Sequence, residues 1–324
     1  MTTLITGGAG FVGLNIARKL VAAGEKVVIY DLGAIKPQAH LDLRSQAELL
    51  IVHNGSVLDR GDIINTIKTH NVDRIVHGAA ITASLAREQH HARDIVEVNT
   101  IGTINLLEAA LASDIRRVVS LGTGSVYGSG VKQDGTLDEV DDLPQPETLY
   151  GISKYAAERI AVRFRNTRNL DVVVARLGVV FGRYEHDTGL RDTMSAPLVL
   201  GQMALRGEHA KVYRRMPDDW VYATDVAHAI QMLLNAKTIP SPVYQVGTGR
   251  PWSVEQWCIR LSKAFPNFSY DMVEQQDQAT VGRVTPSRRP CFAIDRLKND
   301  LGYQPAFMLD QAFDDYIQWL KTTA

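Results

Sequence analysis

The 324-residue sequence has little cysteine, no excess of charge of either sign and no long apolar run. Its two cysteines, Cys258 and Cys291, lie far apart and have no second pair at ligand spacing, which argues against a disulfide framework and a zinc site. A net charge of −1 gives no basic field for nucleic acid. No apolar run approaches the ~20 residues of a membrane span. We therefore expect a small-molecule partner, and neither a metal, a nucleic acid nor a membrane.

The composition itself is that of an ordinary globular protein. The chain is 45% hydrophobic and 22% charged, and it is long enough for a large core and about two domains. The N-terminus enters an apolar strand at once, without a signal peptide. Because we also expect both cysteines to be reduced core thiols, the sequence predicts a cytoplasmic protein.

The first 31 residues have the order strand, glycine-rich turn, helix and second strand. Residues 2–6 read as a short buried strand, and Gly8, Gly10 and Gly13 then satisfy the pattern G-x-G-x-x-G. These glycines allow a tight turn and a close approach of the backbone to pyrophosphate, which the N-terminus of the next helix would face. The second strand ends in Asp31, where an acid accepts from the adenosine ribose and repels a 2′-phosphate. The pattern predicts NAD rather than NADP.

Strand and helix patterns continue to alternate after Asp31. We predict strands at 49–53, 74–77, 117–120 and 172–176, and helices at 63–69 and 95–112. Repeated βα units give a parallel, doubly wound α/β sheet of the Rossmann type, whose ligand crevice lies at the carboxyl ends of the strands. We expect this domain to span 1–177. A smaller mixed α/β substrate domain is expected over 178–324, with 219–238 packing back on the first domain.

Tyr150 and Lys154 stand four residues apart where a helix is predicted to begin, so their side chains share one face. A lysine charge beside a phenol favours the phenolate, and the pair can act as general acid and base on an alcohol or carbonyl. On its own this spacing is more typical of a solvated helix face. The dinucleotide fingerprint upstream gives it a functional reading.

Five segments follow one another in a recognisable order. They are TGGAGFVG at 6–13, HGAA at 77–80, VNTIGTINLLEAA at 98–110, SVYG at 125–128, and Tyr150 with Lys154. In this order they resemble the extended short-chain dehydrogenase/reductases, also called the NAD-dependent epimerase/dehydratase family. The resemblance implies that Thr123 completes a Thr-Tyr-Lys triad by hydrogen-bonding the substrate oxygen that Tyr150 protonates or deprotonates. Without the family, Ser125 would be an equal candidate for that role.

We expect NAD and a carbohydrate substrate to bind along this carboxyl edge of the sheet. The expected cofactor residues are Gly7, Gly10, Phe11, Val12, Gly13, Asp31, Ser56, Val57, Ala79, Ala80, Asn99, Tyr150 and Lys154. The expected substrate residues are Ser84, Ser125, Arg176, Val179 and Arg289. The family also implies a homodimer formed through the helices at 95–112 and 148–163.

Three reactions share this machinery: epimerisation, net dehydrogenation and 4,6-dehydration. Family dehydratases follow the triad threonine with an Asp-Glu pair, whereas Gly124-Ser125 follows Thr123, which disfavours dehydration. Nucleotide-sugar epimerases usually carry asparagine where this chain has Val179, and arginine where it has Asp218. Family frequency favours a sugar epimerase, while these lost contacts favour a dehydrogenase of a free sugar or small hydroxy acid. A non-catalytic NAD sensor is the third alternative, and the intact triad argues against it.

Overall fold

The fold is organised around a seven-stranded parallel sheet. The computed structural model describes residues 1–128, 135–213, 218–281 and 290–322. In chain order the strands of these residues are β1 (Thr2–Thr6), β2 (Lys26–Asp31), β3 (Leu50–Asn54), β4 (Arg74–His77), β5 (Arg117–Thr123), β6 (Thr136–Leu137), β7 (Val172–Leu177), β8 (Val179–Phe181), β9 (His209–Tyr213), β10 (Trp220–Tyr222), β11 (Val243–Val246), β12 (Ser269–Val273) and β13 (Cys291–Phe292).

Helices follow most of these strands. They are α1 (Phe11–Ala22), α2 (Pro37–Leu43), α3 (Arg60–Thr69), α4 (Leu85–Val96), α5 (Gly102–Ala112), α6 (Leu149–Arg168), α7 (Ala196–Leu205), α8 (Ala223–Asn235), α9 (Val254–Ala264), α10 (Asp295–Leu301) and α11 (Leu309–Thr322). A π turn, Glu97–Ile101, joins α4 to α5, and a 3-10 turn, Gly124–Tyr127, follows β5.

The order of strands in the sheet is β3-β2-β1-β4-β5-β7-β11, and every neighbouring pair is parallel. The chain winds outward in one direction from β1 to β3 and in the other from β4 to β11. A crevice therefore opens between the carboxyl ends of β1 and β4, where the winding reverses. The predicted doubly wound α/β fold is confirmed.

Consecutive residues of the central strands face opposite layers of helices, because side chains alternate along a strand. Ile5 and Ile29 pack with α1 and α8, whereas Leu4 and Val28 pack with α3, α5 and α6. All four side chains are fully buried. A sheet covered on both faces buries consecutive residues of its central strands, which is why β2 reads as a continuous apolar run, VVIY, rather than as an alternating pattern.

Several predicted elements are longer in the structure than in the sequence pattern. The helix predicted at 95–112 begins at Leu85, because Ser84 caps it with a side chain that accepts from the N–H of Arg87. Its first ten residues are mostly polar and gave no apolar period. The strand predicted at 117–120 continues to Thr123, because Gly122 and Thr123 still pair with β7.

The C-terminal part adds short strand pairs and an aromatic core to the sheet. Phe181, Trp252 and Trp257 pack with their ring centroids 5.4 to 5.6 Å apart. Residues 219–238 lie against the sheet, where Arg117 donates to the carbonyl of Leu233 at 3.0 Å. The sheet also takes its seventh strand, β11, from beyond residue 177. The domain boundary at 177 stays a prediction.

One described helix, Leu85–Ala112, is long and apolar enough by length and composition to cross a membrane. However, 44% of its apolar window is buried in the fold, where Leu106 and Leu107 pack beneath the sheet. A core helix passes the same test, and we interpret this one as a helix that covers the sheet. Its exposed apolar residues are Leu85, Val96 and Ile101.

Asp225 should hold the C-terminal segment onto α8. It lies in the first turn of that helix, as predicted, and its buried carboxylate accepts from the N–H groups of Ala306 (3.0 Å) and Phe307 (2.9 Å). Because hydrogen bonds to a charged group are strong, Asp225→Ala should lower the free energy of unfolding by about 2 kcal/mol.

Urea unfolding measures this change. Asp295→Ala, which removes an exposed acid from the first turn of α10, is the matched control and should cost less than about 1 kcal/mol. Equal losses in the two variants would contradict the role given to Asp225.

Candidate active site

The residues predicted to bind a dinucleotide lie at the crevice between β1 and β4. Gly7 has a φ of +67°, and a Cβ built on it would lie 2.7 Å from the backbone nitrogen of Ala79. A Cβ on Gly13 would lie 2.4 Å from the carbonyl oxygen of Gly7. Only glycine fits at either position, so the loop after β1 is pressed against the loop after β4. This contact brings together the two walls of the crevice, which are residues 7–13 and 78–84.

Helix α1 begins in this crevice with an uncompensated N-terminus. Gly10 precedes the helix without a side-chain cap, and no acidic residue lies in the first turn. The first N–H groups of a helix have no partner within it and attract anions. They belong to Phe11, Val12 and Gly13. The cradle therefore fits the pyrophosphate of a dinucleotide.

Asp31, at the end of β2, is held beside the glycine loop. One carboxylate oxygen accepts from the N–H of Ala9 at 3.0 Å, and the other accepts from the N–H of Gly33 at 2.9 Å. Each oxygen keeps a further lone pair. The carboxylate can therefore accept from ribose hydroxyls in the place where the sequence predicted it.

Four more predicted cofactor residues follow the carboxyl ends of β3 and β4. Ala79 and Ala80 are half-buried after β4. Ser56 follows β3, and its carbonyl accepts from the Tyr30 hydroxyl at 3.0 Å. Val57 is buried against Gly102 in α5, where an added Cβ would lie 2.6 Å from the valine methyl. The structure brings these residues to the same edge of the sheet as the glycine loop.

Asn99 is expected from the sequence at the cofactor, but its side chain is engaged with the protein. It lies buried in the π turn, with Oδ1 accepting from the N–H of Ile81 (2.8 Å). Its Nδ2 donates to the carbonyl of Ile81 (3.1 Å) and to Ser153 Oγ (3.0 Å). Asn99 therefore positions the loop after β4 against α6, and Ser153, which the sequence analysis missed, is its partner.

The three expected catalytic residues lie on two elements that touch, the end of β5 and the start of α6. Thr148 caps α6 by accepting from the N–H of Gly151 at 3.1 Å, which places Tyr150 in the first turn and Lys154 one turn later. A Cβ on Gly151 would lie 2.8 Å from the carbonyl oxygen of Ser125. The start of α6 therefore lies directly against the turn Gly124–Tyr127, which begins at Thr123.

Thr123 caps that turn in a way that leaves its proton available. Its Oγ1 accepts from the N–H of Ser125 at 3.1 Å. Because the hydroxyl oxygen takes the role of acceptor there, the hydroxyl hydrogen remains free to donate to another oxygen. This is the role that the family resemblance implied for Thr123, and Ser125 lies half-buried two residues away.

Lys154 is an ammonium group buried at the edge of the sheet, 4% exposed. Burial lowers the pKa of Lys154 to about 8, and the carboxylate of Glu158, one turn further along α6, opposes this shift. The pKa of His77 at the end of β4 is lowered to about 3, mainly by burial and further by the charge of Lys154. Lys154 therefore carries its charge at neutral pH beside a histidine that stays neutral.

Arg176, expected at the substrate, is buried under the site. Its guanidinium donates to both carboxylate oxygens of Glu158, at 2.6 and 2.8 Å, and to the Tyr127 hydroxyl at 2.7 Å. These partners engage Nε, Nη1 and Nη2. The structure therefore supports a positioning role for Arg176 rather than a substrate contact. Glu158 was missed in the sequence, although its place four residues after Lys154 was a signal.

The other expected substrate residues have different placements. The Ser84 hydroxyl caps α4, and Val179 is half-buried at the start of β8. Arg289 lies outside the described residues. Asp218 is buried, and the neighbouring Asp219 accepts from the backbone of Phe292 at 3.0 Å. These placements leave the substrate side less defined than the cofactor side.

The buried charge of Lys154 should lower the free energy of unfolding of the protein. The folded pKa, about 8, lies below the ordinary value of 10.5, so between these pH values the unfolded chain holds a proton that the folded chain has lost. The contribution of Lys154 to stability therefore rises with pH across this window, and the burial penalty is complete below pH 8. Lys154→Met should raise the free energy of unfolding at pH 7 by about 1 to 3 kcal/mol.

Urea unfolding of NAD-free protein at pH 7 and pH 10 tests this, and the advantage of the variant should shrink at the higher pH. Lys298→Met, which changes an exposed lysine of α10, is the control and should change neither value. A Lys154→Met protein that is less stable than the original at pH 7 would disprove the burial penalty.

Comparison with known proteins places the chain among enzymes of one family. Residues 3–247 match the model of the NAD dependent epimerase/dehydratase family. A dTDP-glucose 4,6-dehydratase from Xanthomonas campestris pv. campestris is 28% identical, and the match covers 99% of this chain and 93% of the relative.

Solved structures agree in fold. The UDP-glucose 4-epimerase of Thermotoga maritima, solved with UDP-glucose, superposes with a TM-score of 0.83 at 24% identity over 100% of this chain and 99% of that one. The Thermus thermophilus UDP-glucose 4-epimerase, solved with NAD, gives 0.82 at 23% identity over 100% of both. The predicted family and cofactor are confirmed: the chain is an enzyme that uses NAD, and it belongs to the NAD dependent epimerase/dehydratase family.

Proposed function

We propose that the protein is a sugar epimerase that acts at a secondary alcohol of a sugar or nucleotide sugar. The observation that carries the proposal is the contact between the start of α6, which holds Tyr150 and Lys154, and the turn that Thr123 caps, at one edge of the dinucleotide crevice. A phenol with a buried ammonium one turn away is suited to moving a proton to and from an alcohol oxygen. The dehydratase and epimerases found among similar proteins support this class of chemistry.

Each residue of the trio has one task. Tyr150 takes the proton of the substrate hydroxyl as a phenolate and returns it at the end. Lys154 stabilises the phenolate, because its charge is buried and weakly screened. Thr123 donates its free hydroxyl hydrogen to the same substrate oxygen. NAD, when bound, supplies the hydride acceptor and donor. Epimerisation inverts the substrate carbon and leaves no net oxidation.

Dehydration is the first competitor, because a 4,6-dehydratase is among the relatives. The elimination of water requires an acid and a base beside the triad threonine, in addition to Tyr150. The two residues after Thr123 are Gly124 and Ser125, which carry no carboxyl group. Glu158, one turn beyond Lys154, is held by Arg176 and is buried. We therefore place epimerisation before dehydration.

A dehydrogenase of a free sugar or small hydroxy acid is the second candidate. Val179 favours it, because a valine at the start of β8 gives an apolar surface where related epimerases offer an amide to a nucleotide sugar. A non-catalytic NAD sensor is disfavoured, since such a module has no need for Tyr150 and Lys154 together with an available Thr123 hydroxyl.

The deciding experiment incubates the pure protein with NAD and with panels of nucleotide sugars, free sugars and sugar acids. An epimerase gives product without accumulation of NADH, a dehydrogenase gives NADH in proportion to product, and a dehydratase gives a 4-keto-6-deoxy sugar. Tyr150→Phe should lower turnover by at least ~10²-fold while NAD binding persists. Turnover above about a hundredth of the original would remove Tyr150 from the mechanism, and accumulating NADH would overturn the epimerase proposal.

A homodimer is also part of the proposal. Val96 and Ile101 on the helix Leu85–Ala112 and Ile152 on α6 are 39 to 46% exposed. The two helices touch beside these residues, where the Thr100 hydroxyl donates to the carbonyl of Ser153 at 3.2 Å. Two such helix pairs, one from each copy, would bury these apolar side chains in a four-helix interface.

Light scattering after size-exclusion chromatography should give a mass near twice 35.8 kDa at micromolar concentration. Ile101→Glu combined with Ile152→Glu should produce monomers, because two copies would then bury like charges against each other. Leu41→Glu, at an exposed position of α2, should leave the dimer intact. A monomer before any substitution would refute the interface.

A further inference from the structure

The segment 182–195, which we call the strap, joins β8 to α7 and lies across the cofactor crevice. On one wall, Asn15 of α1 donates to the carbonyl of Arg183 at 2.7 Å. Asn15 also donates to the carbonyl of Phe11, the first residue of the same helix, at 3.0 Å. The start of the strap is therefore fixed one turn from the N–H groups that fit the pyrophosphate.

The far part of the strap is fixed to the other wall. Thr82 donates to the carbonyl of Leu190 at 2.8 Å and accepts from the N–H of Asp192 at 3.1 Å, as in a short parallel bridge. The Asp192 carboxylate also accepts from Arg87 at 2.6 to 3.0 Å and from the N–H of Ser84 at 2.8 Å. The strap thus connects the loop after β4 with α1, which are the two sides between which the dinucleotide is expected.

One cation of the strap, Arg191, lies at the start of α1. Its guanidinium carbon is 5.0 Å from the centroid of the Phe11 ring. Nη2 donates to Glu185 at 2.7 Å, and Nε donates to the carbonyl of Thr193 at 3.0 Å. Within the described part of the chain Nη1 has no hydrogen-bond partner. The side chain is 22% exposed, so the guanidinium is partly accessible from outside the fold.

A buried carboxylate fixes the direction of Arg191. The side chain of Glu185 is fully buried, and it accepts from the N–H and the hydroxyl of Ser195 at 2.8 and 2.5 Å. These bonds hold Glu185, and Glu185 holds one edge of the guanidinium. An arginine whose rotamers are already restricted loses little entropy when it binds an anion. The other strap arginine, Arg183, is instead paired with Asp315 at 2.5 Å.

We propose that Arg191 is a cofactor-binding residue that donates through Nη1 to the diphosphate of NAD, opposite the N-terminus of α1. The guanidinium matches phosphate oxygens in geometry and charge. Helix N–H groups would then bind one side of the diphosphate, and the strap would bind the other. Glu185 is the positioning residue for this contact. The proposal rests on NAD binding alone and is independent of which reaction follows.

Titration calorimetry on the NAD-free full chain tests the assignment with NAD, ADP and adenosine. Loss of a charge-assisted hydrogen bond costs about 1.5 to 3 kcal/mol, so Arg191→Met should weaken NAD and ADP by roughly 10- to 100-fold. Adenosine has no phosphate, and its affinity should not change. Arg191→Lys keeps the charge and should lose less of the affinity for NAD and ADP.

Arg183→Met is the matched control, because it removes the same charge from the same segment and should leave the NAD affinity within about threefold. Equal weakening of all three ligands by Arg191→Met would mean that Arg191 only supports the fold, and an unchanged NAD affinity would remove it from the site. A loss with Arg183→Met as large as that with Arg191→Met would also overturn the proposal. If Arg191→Met does not fold, Arg191→Lys decides by the same comparison of ADP with adenosine. No turnover is measured, so the outcome is separate from that of the epimerase proposal.

Discussion

The burial of the Lys154 ammonium is the constraint on which the active-site edge depends. A charge removed from water is destabilising unless neighbouring groups favour it, and burial accordingly lowers the pKa of Lys154. Glu158 reduces the penalty from one turn away. Because Glu158 would itself be an uncompensated buried charge, it requires Arg176, whose guanidinium binds both of its oxygens. The pair joins α6 to β7 beneath the reaction centre, so the geometry of Tyr150 and Lys154 is fixed from below.

A second network of buried hydrogen bonds holds the same edge of the sheet on the side of β4. The Thr103 hydroxyl donates to the carbonyl of Asn99, so it must accept from His77 Nε2 at 2.9 Å. His77 Nδ1 then accepts from the Thr6 hydroxyl at 2.8 Å. A neutral histidine satisfies both partners, whereas an imidazolium would have to reverse the bond with Thr6 by donating to its hydroxyl oxygen, and it would repel Lys154. The low pKa of His77 is thus a condition for this arrangement, which connects the end of β1 with the π turn.

The cofactor half of the site follows from local sequence, and the substrate half does not. Gly7 and Gly13 occupy places where the backbone admits no Cβ, and such places leave a pattern within a few residues. Tyr150 and Lys154 are likewise one helix turn apart. The sequence predicts Arg176 at the substrate, whereas the structure buries it. The partners that hold it, Glu158 and Tyr127, are 18 and 49 residues away in the chain, so no local pattern indicates them. The helix at 85–94 was missed for a different reason: its polar surface has no apolar period, and only its cap at Ser84 marks the start.

The strap is relevant both to cofactor binding and to the type of reaction. The strap, residues 182–195, is held on both sides, by the backbone bonds at Thr82 and by the bond from Asn15. Opening several such bonds at once is unfavourable, because each exposes a backbone group that is satisfied in the closed form. A dehydrogenase must exchange its cofactor in every cycle, whereas an epimerase returns the hydride and needs no exchange. If the dinucleotide enters and leaves past the strap, a strap held on both walls retains the cofactor, as the epimerisation proposed above requires and net oxidation does not.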